Sequence, residues 1–273
     1  MDVKNLRANG VGLAYVEQGT GDTVVFVHGA VGDWRSWEGV RPLIAEKYRF
    51  VSLSRRYHYP NAWGDDGRNY SMPQHVEDVA AFVRALNAGK VHLVGNSYGG
   101  RLAGYIALKY PELLRSVVLG EPSIIAPASA EGKAALVEFQ KDVAKSSAAA
   151  KAGDAMQAAI LLYDAVIGEA GAFQKIPPVR QQRWLDNAHT VPPMHVGAGA
   201  IPVTCEQLGV LKVPALVVMG ENTRANFRYG NETALDCLPR NSESAVIPNA
   251  PHPWQVVNPE AGARAILAFV AKH

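Results

Sequence analysis

The chain has 273 residues, 48% of them hydrophobic, so it can bury a large core as one domain with an insertion. Its 27 Lys and Arg residues nearly balance its 25 Asp and Glu residues, which argues against nucleic acid or an anionic membrane as the main partner. No apolar run reaches the roughly 18 residues that a membrane-spanning helix needs.

The two cysteines of the chain, Cys205 and Cys237, lie far apart in the sequence. The first residues lack the charged-then-apolar pattern of a secretory leader. We therefore expect a cytoplasmic protein in which both thiols are reduced. Neither cysteine has a His or Cys neighbour at metal-ligand spacing, so the sequence predicts no zinc site.

Short apolar or alternating runs, bounded by glycine, proline and polar residues, predict β-strands along much of the chain. The predicted strands cover residues 11–17, 23–27, 50–53, 91–94, 116–120, 213–220 and 244–247. Several of these runs are apolar throughout, which is typical of strands buried on both faces of a parallel sheet.

Segments with helical periodicity separate the predicted strands. Outside the middle of the chain, the predicted helices cover 34–47, 75–86, a segment ending near residue 110, 231–237 and 259–270. Asp33 can cap the first of them, with Pro42 as a kink, and Ser71 with Gln74 forms a capping box before the second. Strands that alternate with helices predict an α/β fold, with a mostly parallel sheet covered by helices on both faces.

A long polar and aromatic loop over residues 54–67 follows the strand 50–53. Loops of this length in compact domains are often functional, so Arg55, His58 and Tyr59 are candidates to touch a substrate. A surface ion pair is the more usual role for the arginines of such a loop.

The composition changes after Pro122, where an alanine-rich, charged region has helical periodicity and no apolar strand pattern. Helices are predicted over 131–151, 154–168 and 179–188, and strand-type sequence resumes only near residue 213. This region therefore reads as an insertion of helices into the alternating pattern.

The motif Gly95-x-Ser97-x-Gly99 lies between a predicted strand and a predicted helix. A serine on such a sharp turn is lifted out of the fold, and small glycines let the backbone pass close to its neighbours. The first amides of the following helix lack intrahelical acceptors, so the Tyr98 amide can face a developing oxyanion. The motif predicts a nucleophilic serine with half of its oxyanion hole.

With this motif in its strand-turn-helix context, the chain resembles the α/β-hydrolase superfamily. The resemblance implies a core domain of residues 1–121 and 206–273, with a helical cap of residues 122–205 inserted after the sixth strand. It also implies that the pair His28-Gly29, which follows the strand 23–27, leads to a second oxyanion amide, that of Ala30. His28 itself is expected to be a structural hydrogen-bonding residue.

Of the eight histidines, His252 follows the last predicted strand and precedes the C-terminal helix. In the superfamily that this chain resembles, the general base stands at this place. His252 would accept the Ser97 proton during attack and return it to the leaving alcohol.

The acid departs from the pattern of most relatives, which place an aspartate three residues after the glycine that ends the seventh strand. Here that position is Thr223, which cannot carry a negative charge. Glu121 directly follows the sixth strand, where some branches of the superfamily place the acid, and Glu221 follows the seventh. We favour Glu121, because a carboxylate at a strand end is rigidly held, and keep Glu221 as the alternative.

Serine at the turn favours acyl transfer to water, so the resemblance implies hydrolysis of a carboxylic ester or lactone without a metal or organic cofactor. Alternatives are hydrolysis of a carbon–carbon bond in a diketone-type ring-cleavage product and a hydrolase-like receptor for a small molecule. Trp34, His58 and Trp184 are the candidate substrate-binding residues. The expected partner is a small-molecule ester or lactone, with no nucleic acid or membrane, for a monomer or homodimer.

Overall fold

Eight strands form a single sheet in a computed structural model of the chain, which describes residues 2–197, 199 and 201–273. The strands are β1 (Lys4–Ala8), β2 (Val11–Gln18), β3 (Thr23–Val27), β4 (Arg49–Leu53), β5 (Val91–Asn96), β6 (Leu114–Gly120), β7 (Ala215–Gly220) and β8 (Glu243–Ile247). They are ordered β1-β2-β4-β3-β5-β6-β7-β8. β2 pairs antiparallel with β1 and β4, and all other neighbours are parallel. The predicted mostly parallel sheet is confirmed.

Twelve α-helices occur within the described residues. They are α1 (Arg41–Ala45), α2 (Met72–Ala85), α3 (Tyr98–Lys109), α4 (Ala130–Lys151), α5 (Ala155–Ile167), α6 (Ala172–Lys175), α7 (Pro178–Leu185), α8 (Val191–Val196), α9 (Cys205–Gly209), α10 (Ala225–Cys237), α11 (Trp254–Val257) and α12 (Pro259–Val270). The helices α4 to α8 lie between β6 and β7 in the chain, where the helical insertion is predicted. None of the helices in the described parts of the chain is long and apolar enough to cross a membrane.

The side chains of the central strands alternate between two cores, because successive residues of a strand point to opposite faces of the sheet. Val25 and Val27 of β3 belong to a core that also contains Phe82 of α2. Val24 and Phe26 belong to the other core, together with residues of α12. Helices therefore cover both faces, and the carboxyl ends of β3, β5, β6, β7 and β8 meet at one edge of the sheet.

The largest differences between predicted and observed helices concern two segments. The segment 34–47 forms a short 3₁₀ helix, Trp34–Trp37, followed by α1, and Pro42 lies in the first turn of α1 instead of kinking a longer helix. Proline suits a first turn because its missing N–H has no intrahelical acceptor there. The helix predicted at 231–237 begins earlier, at Ala225.

The expectation of reduced cysteines is wrong, because Cys205 and Cys237 form a disulfide. Cys205 begins α9 and Cys237 ends α10, and the two Cα atoms lie 4.9 Å apart. This approach is produced by tertiary packing across 32 residues, which sequence spacing does not reveal. Disulfides persist mainly in oxidising compartments, so this bond counts against the cytoplasmic location, which stays a prediction.

Candidate active site

Ser97 lies at the sharp turn between β5 and α3, with φ of 56° and ψ of −121°. A residue with a side chain adopts this positive φ rarely, and such a conformation costs about 1–3 kcal/mol. The amide of Ser97 donates to the carbonyl of Gly120 at the end of the neighbouring β6 (2.7 Å), which ties the turn to the sheet. The turn is thus held in a strained shape that the surrounding strands impose.

The glycines on either side of Ser97 are required by close backbone packing. A Cβ on Gly95 would lie 2.1 Å from the carbonyl oxygen of Gly99, and a Cβ on Gly99 would lie 2.2 Å from that of Val27. Real Cβ atoms do not approach so closely, and these neighbours are backbone atoms that cannot swing away. The motif is therefore a steric necessity of this turn.

His252 follows β8, and its Nδ1 atom lies 2.5 Å from Oε2 of Glu121, which follows β6. Both side chains are buried, with relative exposures of 4% and 0%. Glu121 also accepts the Gly220 amide on Oε1 (2.8 Å) and the Thr223 hydroxyl on Oε2 (2.5 Å). Three donors around one buried carboxylate fix its position, because an acceptor without partners would be costly at this depth.

Of the two candidate acids, Glu121 is the one that contacts His252. Glu221 is exposed and accepts the amide of Asn249 through Oε2 at 2.8 Å. Its side chain thus ties the loop after β7 to the loop after β8, as a local structural contact.

Ser97 and His252 line the same cavity, whose volume is about 480 Å³. A carboxylate only accepts, so Nδ1 of His252 carries the proton of the contact with Glu121, and its Nε2 has a free lone pair. Nε2 is buried and has no hydrogen-bond partner among the described residues. The Phe227 ring stacks on the imidazole, with 3.9 Å between ring centroids, and helps to hold its orientation.

The two residues predicted to supply oxyanion amides, Ala30 and Tyr98, are related to Ser97 in different ways. Ala30 lines the cavity, whereas Tyr98 is the residue that follows Ser97 and begins α3. Neither backbone amide has an acceptor within the described parts of the chain. His28, predicted to be structural, is buried and bonds through Nδ1 to the Gly29 carbonyl (2.8 Å) and through Nε2 to the Arg55 amide (2.9 Å).

The three predicted substrate-binding residues are not equivalent. Trp184 lines the cavity, and its Nε1 donates to the Ala159 carbonyl at 2.8 Å. Trp34 and His58 are buried and are not among the lining residues. Nδ1 of His58 bonds to the Gly32 carbonyl (2.7 Å), so the loop 54–67 folds back beneath the turn that contains Ala30.

Burial lowers the pKa of His58 well below its ordinary value of 6.5, and the positive charge of Arg55 lowers this pKa further. The pKa values of His28 and His75, which are also fully buried, are lowered by the same two causes in the same order. These imidazoles are neutral at physiological pH.

The two adjacent loop arginines have different environments. Arg56 forms an ion pair with the buried carboxylate of Asp78, with 2.6 Å between Nε and Oδ2. Arg55 is instead buried and has no carboxylate within 4.0 Å among the described residues. A loop sequence without periodicity does not indicate which of two adjacent arginines turns inward.

The sequence missed three arginines that line the cavity, Arg35, Arg180 and Arg183. The spacing of the last two, three residues apart in a predicted helix, would place them on one helical face and was the available signal. Arg35 pairs with Asp33 and Asp186, and Arg183 pairs with Glu38. No cluster of three or more His, Cys, Asp or Glu side chains suited to a metal ion occurs in the described ranges.

A family model described as alpha/beta hydrolase fold matches residues 22–153. The 2-hydroxy-6-oxo-6-(2'-aminophenyl)hexa-2,4-dienoic acid hydrolase of Metapseudomonas resinovorans is 24% identical over 98% of this chain and 90% of its own length. The enol-lactonase from Burkholderia xenovorans LB400 superposes with a TM-score of 0.79 at 16% identity, covering 98% of this chain and 100% of its own. The carboxylesterase CesB from Bacillus subtilis has a TM-score of 0.77 at 14% identity, covering 100% of this chain and 92% of its own.

Proposed function

The chain belongs to the α/β-hydrolase superfamily, and we propose that it is a serine hydrolase that cleaves a carboxylic ester or lactone through an acyl-enzyme. One observation carries this proposal. The buried imidazole of His252 is held by Glu121 through Nδ1, its Nε2 has no partner among the described residues, and His252 lines a cavity that Ser97 also lines. An imidazole held in this way can act as the general base for a serine hydroxyl that reaches its Nε2.

In the proposed mechanism, Ser97 Oγ attacks the ester carbonyl carbon while Nε2 of His252 takes its proton. The carbonyl oxygen becomes an oxyanion, which accepts hydrogen bonds from the amides of Ala30 and Tyr98. The intermediate collapses, and the imidazolium gives its proton to the departing alkoxide. A water then attacks the acyl-enzyme by the same route, which releases the carboxylic acid and restores Ser97.

Glu121 stays ionised throughout this cycle and stabilises the imidazolium that forms twice. Its position at the end of β6 is fixed by the Gly220 amide and the Thr223 hydroxyl. The carboxylate therefore needs little rearrangement when the charge on His252 develops.

The size and walls of the cavity suit a small organic substrate, since about 480 Å³ falls in the range of small-molecule sites. Its apolar lining includes Leu162, Val166, Ile176, Val256 and Val257. Because the first three come from the inserted helical region, we propose that residues 122–205 act as a cap that shapes the acyl or alcohol pocket and excludes water.

The test is hydrolysis of a graded series of p-nitrophenyl esters and lactones, together with labelling by a fluorophosphonate. We expect the wild type to turn over and to be labelled, and Ser97→Ala to lose both. Ser36→Ala is the matched control, because Ser36 also lines the cavity but lies outside the turn at Ser97. Turnover that persists in Ser97→Ala would rule out the proposal, and a stoichiometric adduct without turnover would favour a receptor role.

A second candidate is hydrolysis of a carbon–carbon bond in a diketone-type ring-cleavage product that carries a carboxylate. The relative from Metapseudomonas resinovorans, matched over nearly the whole chain, is named as a hydrolase of a dienoic acid. Arg180 also favours this candidate, since it lines the cavity, donates to the Val256 carbonyl (2.9 Å) and has no carboxylate within 4.0 Å among the described residues. Release of two acids from a vinylogous diketone acid, faster than ester turnover, would select this reaction.

A further inference from the structure

Arg55 is a buried cation whose position is not explained by an ion pair. Its relative exposure is 1%, and no carboxylate of the described residues lies within 4.0 Å of its guanidinium. Its Nε and Nη1 atoms have no hydrogen-bond partner in the described parts of the chain. Burying an unpaired charge destabilises a fold strongly, so a compensating role for this side chain is expected.

The hydrogen bonds that Arg55 donates converge on the turn after β3. Its Nη2 donates to the carbonyl oxygens of Gly29 (2.9 Å) and Ala30 (3.1 Å). Its backbone amide donates to Nε2 of His28 (2.9 Å), so the proton of this neutral imidazole is on Nδ1, which donates to the same Gly29 carbonyl. Two donors thus hold one carbonyl.

The direction of the Gly29 carbonyl fixes the direction of the Ala30 amide. The two groups belong to one planar trans peptide, in which C=O and N–H point to opposite sides. Because the carbonyl points to Arg55, the amide points away from it, and Ala30 lies on the wall of the cavity that contains Ser97. A cation on the carbonyl also polarises the peptide, which makes its N–H a stronger donor.

Arg55 also contacts Tyr98, the second residue that is predicted to supply an oxyanion amide. Its Cζ lies 4.3 Å from the centroid of the Tyr98 ring, and the backbone amide of Tyr98 follows the serine. The surrounding imidazoles of His28, His58 and His75 are neutral, so Arg55 supplies the positive charge of this cluster. The negative oxygen formed during ester attack would be the counter-charge that Arg55 lacks in the resting protein.

We propose that Arg55 is a positioning residue for the oxyanion hole, which aims the Ala30 amide at the reacting carbonyl oxygen and provides a buried positive charge behind it. The inference rests on the proposed function and adds to it a residue that does not touch the substrate. Because the oxyanion exists only in the transition state and the tetrahedral intermediate, Arg55 stabilises these species more than the bound ester.

The experiment compares Arg55→Met and Arg55→Lys with Arg56→Met as the matched control. Arg56 is the next residue. It pairs with Asp78 and donates to the Asn9 carbonyl, and it has no hydrogen bond to the turn after β3. We expect Arg55→Met to lower kcat by about 10²-fold with KM within about threefold, the loss typical of one oxyanion-hole donor. Arg55→Lys keeps the charge and should recover part of this loss, whereas Arg56→Met should keep kcat.

A second measurement separates positioning from general stability. We expect the affinity of a boronic acid that forms an anionic adduct with Ser97 to fall in Arg55→Met by the same factor as kcat/KM, while a neutral product alcohol binds unchanged. Equal loss for both ligands, or kcat of Arg55→Met within threefold of wild type, would overturn the inference. If Arg55→Met does not fold, the affinities of Arg55→Lys for the boronic acid and for the alcohol provide the same test. A wild type without ester turnover or fluorophosphonate labelling would instead refute the proposed function.

Discussion

Thr223 donates its hydroxyl to the carboxylate of Glu121, with 2.5 Å between Thr223 Oγ1 and Glu121 Oε2. Thr223 stands at the position after β7 where most proteins of the superfamily resembled here carry their acid. In this chain the acid of the proposed triad projects from β6, and the loop after β7 has become its support. The same point in space, next to Nδ1 of His252, is thus filled by a carboxylate from the neighbouring strand.

Replacing the carboxylate that contacts His252 tests this assignment. We expect Glu121→Gln to lower kcat by about 10²-fold or more, because a neutral amide does not stabilise the imidazolium. Glu221→Gln should leave kcat nearly unchanged, since Glu221 is exposed and its side chain accepts only the Asn249 amide among the described residues. Steady-state kinetics on one p-nitrophenyl ester measure both. The reverse order of effects would transfer the acid role to Glu221.

The hydroxyl of Thr223 should contribute less to kcat than the carboxylate that it supports. We expect Thr223→Val to lower kcat roughly tenfold, because a hydrogen bond to a charged group contributes about 1.5–3 kcal/mol. Thr223→Ser keeps the hydroxyl and should stay within about threefold of wild type. If Thr223→Val and Thr223→Ser have equal kcat, the contact has no role in orienting Glu121.

Moving the acid back to the loop after β7 is a stricter test of the shared position. We expect kcat of the double variant Glu121→Ala, Thr223→Asp to be about tenfold or more higher than that of Glu121→Ala alone. The carboxylate introduced at position 223 lies next to the space that the Glu121 carboxylate occupies in the wild type. Thr223→Asp in the wild-type background should be slower than wild type, since two adjacent carboxylates repel each other. A double variant as slow as Glu121→Ala would show that the two loops are not interchangeable.

The disulfide between α9 and α10 should contribute to stability and not to catalysis. It closes a loop across 32 residues, for which chain entropy gives about 3–4 kcal/mol of free energy of unfolding. We expect Cys205→Ser, Cys237→Ser to lower the urea midpoint accordingly and to keep kcat, because neither residue lines the cavity. Identical midpoints for this variant and wild type under non-reducing conditions would show that the bond is not formed in solution.

Buried neutral histidines should make the protein acid-sensitive. Burial, followed by the charge of Arg115, lowers the pKa of His92 to about 4. Burial and the charge of Arg55 lower the pKa of His75 well below 6.5. The unfolded chain binds protons near pH 6.5, where these folded-state imidazoles do not. With respect to these histidines, the free energy of unfolding is therefore highest above about pH 6.5 and decreases as the pH falls toward about 4.

Removing one such imidazole gives the sign and size of this effect. Each proton bound only by the unfolded chain lowers the free energy of unfolding by about 1.4 kcal/mol for every unit by which the pH falls at 25 °C. We expect His75→Leu to have a flatter slope of unfolding free energy against pH, by about this amount, in urea titrations between pH 6.0 and 5.0. Parallel slopes for His75→Leu and wild type would mean that His75 is protonated in the folded protein as well.

Much of the sheet could be predicted because its central strands are apolar runs buried on both faces. Residues that end such strands are easy to locate, and Ser97, Glu121 and His252 all follow predicted strands. Parallel strands bring their carboxyl ends to one edge, so the sequence predicts that these three residues lie near each other.

Side chains placed by long-range packing could not be predicted. His58 belongs to a loop without periodicity, and only the return of that loop beneath Gly32 shows that it is buried away from the cavity. The disulfide depends on how α9 docks against the end of α10, and the exposure of Arg180 depends on how the inserted helices lie over the sheet. None of these contacts is local in sequence.

The proposed reacting groups and the cavity walls come from different parts of the chain. Ser97, Glu121 and His252 are anchored on the sheet, whereas Leu162, Ile176 and Arg180 come from the segment between β6 and β7. Evolution or a designer could therefore replace that segment and change which molecules are accepted while the reaction itself is preserved. Chimaeras that graft the corresponding segment of a relative onto this sheet offer a practical route to new selectivity.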